Sequence, residues 1–600
     1  MKDGFIKIAA VTPQVKVADV TYNVGEIIKL YQEAATAGAK IIVFPKLCIT
    51  GATAGDLLYQ EALIKAAKAG LQKIVTASKN KDAIVFVGLP DENGKSVTAV
   101  VQNGKVLDTV KNKEDFLLEV SVNGTDTVFT VGLCYRSRAD IVVFPLAEYD
   151  LVCADTVRTQ EALAGSRRNA CILVQANAGE GESTTDFVYA GHNVIAQCGK
   201  LLTESGSFTN GINYAVADVD LISCTRRMQK SKRDLTKKQP CTDSAIKTTM
   251  EHAGVILSGV IKKNPFIADD EQEMKRRIAH IYMLQTMGLK KRLMHTNSQK
   301  AVIGISGGLD STLALLVTVN AFDLLGFDRK NITAVTMPCF GTSDRTHSNA
   351  QDMMDQLGVT SKEISIADAI NQHFKDIEHD PENHNAAYEN AQARERTQIL
   401  MDMANDLGAL MIGTGDLSEL ALGWATYNGD HMSNYAVNAD VPKTLMRRIV
   451  SYLADEAEKG FYDKGSAKGA ELAKTLRDVV DTPVSPELLP PKEGEIAQKT
   501  EDIVGPYELH DFFLYYMLRY GFMPHKIYRM AVVAFAGVYD GDTIRKWITV
   551  FYKRFFAQQF KRSCLPDGPK IGSVGLSPRG DLSMPSDAIS TVWLDDLAAL

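Results

Sequence analysis

The apolar run Ala301-Val-Ile-Gly-Ile305 breaks into Ser306-Gly-Gly308 and restarts as a helical pattern from Thr312 to Val319. A short strand feeding a glycine turn and then a helix commits this part of the chain to an α/β arrangement. The helix must cross back over the sheet before the next parallel strand can pair. The turn also gathers backbone N–H groups at a helix N-terminus, where an anion, above all a phosphate, is favoured. Gly307 and Gly308 let the backbone approach a ligand closely, and Ser306 and Ser311 add hydroxyl donors. A carboxylate beside a phosphate needs a cation between them, so Asp310 is expected to be a magnesium ligand. The loop is not of the Gly-x-x-x-x-Gly-Lys-Ser/Thr kind and holds no Lys. Taken without its neighbours, the segment also reads as a plain glycine-rich turn.

Six hundred residues exceed one ordinary core, so two large domains or more are expected. An apolar content of 45% and a charged content of 23% are those of a globular protein. A net charge of −7 over this length offers no polycationic surface, so no nucleic-acid partner is expected. The chain has no apolar run of transmembrane length, and Met1-Lys-Asp-Gly-Phe-Ile-Lys-Ile8 enters a strand pattern at once. Neither a signal peptide nor a membrane span is therefore expected, and the expected localisation is cytoplasmic. The nine cysteines are odd in number and form no Cys-x-x-Cys pair, which fits reduced thiols and no zinc site.

Two halves are visible. Up to about residue 262, short Val/Ile strands alternate with Ala-rich helices, the strands expected at 6–10, 41–44, 83–87, 97–101, 127–132, 140–144 and 170–175. Residues 263–300 read as a linker, with Pro265 stopping helix continuation, followed by a helix from about Asp270 to Leu293. Residues 301–600 return to strand–helix alternation, implying a parallel sheet, and end in an aromatic, mostly helical extension.

The second half concentrates residues suited to handling a nucleotide. Gly413-Thr-Gly-Asp-Leu-Ser-Glu419 follows the apolar segment Leu410–Ile412, and strand ends near a topological switch are where open parallel sheets bind ligands. Glu419 could complete a magnesium shell with Asp310. Arg394, on the helix opened by Tyr388-Glu-Asn-Ala-Gln-Ala-Arg394, is placed to bridge phosphates with its planar fork. Its alternative is a solvated helix face paired with Glu389 or Glu395. Trp424 offers a stacking surface, and Asp430 and Lys443 are candidates for proton or charge handling. A core Trp, a capping Asp and a surface Lys are the competing readings of those three.

These motifs together resemble the synthetase domain of the NAD synthetases, specifically the long, glutamine-dependent family. The resemblance runs from 301 to 587 and rests on Gly304–Ser311, Thr336-Met-Pro-Cys-Phe-Gly-Thr-Ser-Asp-Arg345, Tyr388–Thr397, Gly413–Asp430, Tyr435–Lys443, Glu501–Tyr507 and Gln559–Gly568. It implies a Rossmann-like fold of the PP-loop, adenine nucleotide alpha-hydrolase type. It also implies ATP as co-substrate on Gly304, Ile305, Ser306, Gly307, Gly308, Leu309, Asp310, Ser311 and Thr414, with Mg2+ on Asp310 and Glu419. Asn390, Glu419, Trp424 and Lys561 match positions that grip deamido-NAD, and Arg394 is placed in the same set. Asp430 and Lys443 match a loop that closes over the amidation site. The implied reaction adenylates the nicotinate carboxylate with ATP, releases pyrophosphate, and lets ammonia displace AMP.

The first half resembles a nitrilase-like amidase domain of α-β-β-α sandwich fold, which in that family hydrolyses glutamine to supply the ammonia. Ile41–Gly51, Val131-Gly-Leu-Cys-Tyr135 and Ala178–Asp186 carry the likeness, with Cys134 at the nucleophile position. The family's general-base Glu, directly after Phe-Pro, is here Lys46, and a protonated lysine cannot accept the thiol proton. The Glu two places before the nucleophile is Gly132, and the segment after it shrinks to Arg136-Ser-Arg138. Pro145–Tyr149 replaces the Ser-rich glutamine-binding segment, and only Lys111 or Lys113 could inherit the catalytic Lys position. The expectation is an amidase domain inactive on glutamine, free ammonia as nitrogen donor, and a homo-oligomer. Retained glutamine dependence through another base, and a non-catalytic scaffold, are the alternatives.

Overall fold

The computed structural model describes residues 2–111, 116–209, 213–221, 245–251, 261–341, 344–462, 467–482 and 500–600. Strand counts below refer to those residues. The chain divides into two compact units, Met1–Val260 and Ile261–Leu600.

In the first unit, β1 (Phe5–Thr12) leads through α1 (Val20–Thr36) to β2 (Ile41–Val43), then through α2 (Glu61–Ala77) to β3 (Ile84–Pro90), β4 (Ser96–Gln102) and β5 (Lys105–Val110). A second series runs β6 (Leu117–Val122), β7 (Val128–Gly132), β8 (Ile141–Pro145), α3 (Ala154–Asn169), β9 (Ile172–Ala176), β10 (Val194–Gln197) and β11 (Lys200–Glu204). The strands β12 (Asn213–Asp220) and β13 (Ile246–Met250) complete a six-stranded sheet, order β12-β1-β2-β3-β4-β5, and a seven-stranded sheet, order β11-β10-β9-β8-β7-β6-β13. The inner strands, such as β1, β2, β3 and β9, are buried on both faces and read as continuous apolar runs, whereas the edge strands β5, β11 and β13 are partly exposed. Along β1, Ile6, Ile8 and Ala10 join Val131, Ile141 and Val143 of the other sheet in one core. Ala9 and Val11 point the opposite way, into a core with Val24, Ile27 and Ile74 of α1 and α2. On the outer face of the second sheet, Val142 and Leu173 pack with Ala162 of α3. The result is the α-β-β-α sandwich. Cys198 is disulfide-bonded, which corrects the expectation of reduced thiols at that position. Cys224 and Cys241 lie outside the described residues.

The second unit opens with α4 (Glu271–Thr296), held at its start by Asp270, whose carboxylate accepts the Glu273 N–H at 2.6 Å. There follow β14 (Ala301–Gly304), α5 (Leu309–Leu325), β15 (Ile332–Thr336), β16 (Thr360–Glu363), α6 (Ala386–Leu407), β17 (Leu410–Gly413), α7 (Leu417–Leu422), β18 (Tyr435–Ala436) and α8 (Lys443–Glu458). All strand pairs are parallel, in the order β16-β15-β14-β17-β18. The chain therefore moves outward from β14 through β15 and β16, then crosses to β17 on the other side. That reversal opens a crevice at the carboxyl ends of β14 and β17. Helix α5 is apolar and buried almost all round, as expected of a helix enclosed by sheet and further helices. The aromatic extension folds as α9 (Tyr507–Tyr515), α10 (Gly541–Ala557), the short α11 (Gln559–Arg562) and intervening segments. No helix among the described residues is long and apolar enough to cross a membrane.

His510 of α9 is 1% exposed and stacked near Phe551, its Nε2–H donating to the Val504 carbonyl at 2.6 Å while Nδ1 has no partner. Burial pushes its pKa from 6.5 down to about 4. Across that window the unfolded chain takes a proton that the folded chain refuses, so stability falls as pH drops from about 6.5 to about 4, by about 3 kcal/mol. Urea unfolding as a function of pH should show this slope, and His510→Phe should flatten it.

Candidate active site

Strand β14 ends at Gly304, and the chain turns through Ser306 and Gly307 into α5, whose N-cap is Gly308. No side chain caps that helix, so its first-turn N–H groups remain for a ligand. Gly307 has φ of 84°, and a Cβ there would stand 2.1 Å from the Thr346 carbonyl oxygen, so only glycine fits. Ser311 Oγ ties the turn by accepting the Ser306 N–H at 3.3 Å and donating to the Gly308 carbonyl at 3.2 Å.

The β17 exit loop lies beside it. Asn438 donates through Nδ2 to both the Asp310 carbonyl at 2.9 Å and the Thr414 carbonyl at 3.1 Å, and Gln285 of α4 donates to its Oδ1 at 2.9 Å. Asp416 caps α7 by accepting the Glu419 N–H at 2.8 Å. These links bring three carboxylates together: Asp310, Asp416 and Glu419 each offer an oxygen within 4.8 Å of the others. The Lys443 ammonium sits among them, at 2.7 Å from Asp310 Oδ2, 2.6 Å from Asp416 Oδ2 and 3.0 Å from Glu419 Oε1. The Asp416 contact is ionic rather than an aligned hydrogen bond, since Oδ2 is otherwise unpartnered and wholly buried. Burial pushes the Asp416 carboxyl well up and Glu419 up to about 7. Burial opposes the charge on Lys443, but the three carboxylates outweigh it and hold the ammonium protonated. Three hard oxygen donors are gathered in one place, and added positive charge there would favour their ionised forms. That donor set suits a divalent ion such as magnesium.

A cavity of about 440 Å³ opens from this cluster along the crevice. Of the residues singled out from sequence, Gly304, Ile305, Ser306, Gly308, Leu309, Asp310, Ser311, Thr414, Asn390, Glu419, Trp424, Asp430 and Lys561 line it. Asn390 accepts the Thr426 hydroxyl hydrogen at 2.8 Å, and Asp430 accepts the Thr426 N–H at 2.7 Å. Asp430 is open to the cavity yet crowded by protein, and burial pushes its pKa up. Lys561 Nζ donates to the carbonyls of Gly423 and Ala425, at 2.8 and 2.6 Å.

Arg394 is placed differently from the expectation. It is exposed, its Nε donates to the Tyr427 carbonyl at 3.3 Å, and Arg396 lines the cavity instead. Two residues along a helix are about 200° apart, so both cannot face one side. Lys443 lies behind the cavity wall rather than on a closing loop. Sequence reasoning missed three residues here: Asp416, Arg396 and Arg554. The Asp-x-x-Glu spacing of 416 and 419 was the available signal for Asp416, and it is also the spacing of an ordinary helix cap.

In the first unit, Cys134 follows β7 and opens a single turn in which Ser137 donates to the Cys134 carbonyl at 2.6 Å. A Cβ on Gly132 would stand 2.0 Å from Ser137 Oγ, so this turn leaves no room for a side chain at 132. Lys46 follows β2, its N–H donating to the Leu146 carbonyl at 3.2 Å, which ties the exits of β2 and β8. Lys46 Nζ makes no ion pair among the described residues. Lys111 is exposed at the end of the edge strand β5 and paired with Glu92 at 2.7 Å. Lys113 lies outside the described residues.

Comparison with known proteins agrees with both units. Residues 281–489 match the NAD synthase family model, and residues 7–112 match the carbon–nitrogen hydrolase model, a segment that includes Lys46 and stops before Cys134. Over 99% of its length the chain is 33% identical to the glutamine-dependent NAD(+) synthetases of Mycobacterium tuberculosis and Mycobacterium leprae, covering 98% of each. A glutamine-dependent NAD(+) synthetase of Aquifex aeolicus is 26% identical, over 93% of this chain and 95% of its own.

Lys443→Met strips the three carboxylates of their counter-charge and should lower the stability of the second unit by about 3–5 kcal/mol. Magnesium should recover part of that loss, and should affect the wild type less. Thermal denaturation with and without the metal reads both effects.

Proposed function

The chain belongs to the glutamine-dependent NAD(+) synthetase family, and from that premise we propose that its second unit amidates deamido-NAD to NAD at the expense of ATP. The observation that carries this reading is the single cavity in which an uncapped glycine loop, a carboxylate cluster, Trp424 and Lys561 converge.

In this reading a carboxylate oxygen of the nicotinate attacks the α-phosphorus of ATP, and pyrophosphate leaves. Ammonia then attacks the acyl carbon, AMP departs with the carbon–oxygen bonding pair, and the nitrogen loses a proton. The glycine-loop amides and the Ser306 and Ser311 hydroxyls hold the phosphates, and Thr414 closes the other strand end of the crevice. Bound magnesium on Asp310, Asp416 and Glu419 would neutralise charge on the phosphate oxygens. Trp424 and Asn390 position the dinucleotide, and Asp430 is the group placed to take the proton lost from nitrogen. Its raised pKa makes it a better base than an ordinary carboxylate.

The nitrogen source has two readings. The names of the relatives point to glutamine, and that reading has the wider support. The residues of the first unit carry the other: a cation at the position of the general base, a nucleophile turn that admits no side chain at 132, and Lys111 engaged on the surface. Under this second reading the first unit is a degenerate amidase and free ammonia is the donor.

NAD formation from deamido-NAD, ATP and magnesium, with ammonium and glutamine supplied in parallel, separates them. Turnover with glutamine that Cys134→Ala abolishes, while ammonium turnover survives, establishes the glutamine reading. Turnover with ammonium alone establishes the ammonia reading. No product with either donor refutes the function assigned to the second unit.

A further inference from the structure

Two cations in the cavity wall, Arg554 and Lys561, stand outside any ion pair among the described residues, although the Asp430 carboxylate across the cavity acts on Lys561. Arg554 lies on α10 and Lys561 on α11, and both line the cavity with Trp424. Arg554 is half-buried, with its guanidinium carbon 5.2 Å from the Trp424 ring centroid. Its Nε donates to the Leu422 carbonyl at 3.0 Å, which fixes the plane of the fork and leaves both terminal nitrogens without a hydrogen bond among the described residues. Lys561 spends two of its three donors on the Gly423 and Ala425 carbonyls.

The neighbouring Arg562 shows what an arginine built only for structure looks like. It is wholly buried, and its fork is filled by the carbonyls of Leu420, Ala421 and Phe555 and by Gln559 Oε1. Arg554, on α10, is left open at its tip among the described residues. Burial lowers the pKa of Arg554, and burial followed by repulsion from Arg554 lowers that of Lys561, with attraction to Asp430 offsetting only part of the effect. Two like charges held half-buried without an ion pair are costly, and an anion entering between them lowers that cost.

We propose that Arg554, with Lys561, is the receptor for an anionic oxygen group of the dinucleotide, either the nicotinate carboxylate or a bridging phosphate. Trp424 stacks the guanidinium on one face, so its terminal nitrogens present a planar fork to an anion lying in the cavity. The lysine supplies a second point of charge. The inference rests on the deamido-NAD reading of this site and assigns a binding residue that acts on the dinucleotide and not on ATP, which occupies the glycine loop at the opposite strand end.

The two sources of the anion differ in one respect that can be measured: the product amide lacks the carboxylate and keeps the phosphates. Calorimetric titration of the full chain with deamido-NAD and with NAD, for wild type, Arg554→Gln and Arg554→Lys, distinguishes them. Arg554→Gln should weaken deamido-NAD about 10- to 100-fold, with KM for ATP unchanged and the thermal midpoint within a few degrees of wild type. Arg554→Lys should recover part of the affinity. If the carboxylate is the bound group, NAD affinity stays where it was. If a phosphate is, NAD weakens in step with deamido-NAD. Unchanged deamido-NAD affinity in folded Arg554→Gln overturns the assignment while leaving the synthetase reading intact. A wild-type chain that neither binds deamido-NAD nor makes NAD overturns both.

Discussion

The contact on which the second unit depends is the Lys443 ammonium among Asp310, Asp416 and Glu419. The four groups come from three separate pieces of chain: Asp310 from the first turn after β14, Asp416 and Glu419 from the N-cap and first turn of α7, Lys443 from the first turn of α8. A parallel sheet delivers its strand ends to one edge but does not space the loops there, and this cluster does. Asp511 of α9 extends the network by accepting from the Ser418 and Thr444 hydroxyls, at 2.5 and 2.6 Å, so the aromatic extension is anchored to the same point. Three carboxylates would not tolerate this proximity without a cation. The arrangement that positions the site is therefore also the one that creates its demand for positive charge.

That explains how much of this half could be read from the sequence. A phosphate loop is a local object: strand, glycines, hydroxyls and helix follow one another in eight residues, and the structure keeps Gly304–Ser311 as a unit. Seven strands of the first unit were legible for a similar reason, as apolar runs, whereas β5, β6 and β10 to β13 were not foreseen. Orientation is not legible in this way. Arg394 and Arg396 are equally plausible as letters, and only the facing of α6 against β14 puts the second in the cavity wall. Asp416 was concealed by a second job, because the residue that caps α7 also lends an oxygen to the cluster. Arg554 was illegible for a third reason. It lies 130 residues beyond Trp424 along the chain, and nothing local in α10 distinguishes it from the arginines around it.

The same physical logic bears on the first unit. Its scaffold is intact: the two sheets, their shared core and the strand exits that carry Lys46 and Cys134 are in place. A sandwich of this kind is stabilised by the apolar pairs between its sheets, and none of those depends on the residues at the strand exits. A change of residue at those exits therefore costs the fold little, and the α-β-β-α architecture is compatible with Lys46 after β2.

Gly132 and Ser137 together set the shape of the turn at Cys134. Ser137 folds back so closely that any side chain at 132 would strike it, and Ser137 is held there by its own hydrogen bonds to the Cys134 carbonyl. Putting back the glutamate at 46 would leave this turn unchanged, and opening the turn to admit a glutamate at 132 would break the bonds that shape the backbone of Cys134. The charge at 46 and the packing at 132 act on the nucleophile by independent routes, one through proton transfer and the other through the geometry of its turn. A glutamine-hydrolysing cycle in this chain must therefore draw both its base and its nucleophile geometry from residues other than those at 46 and 132.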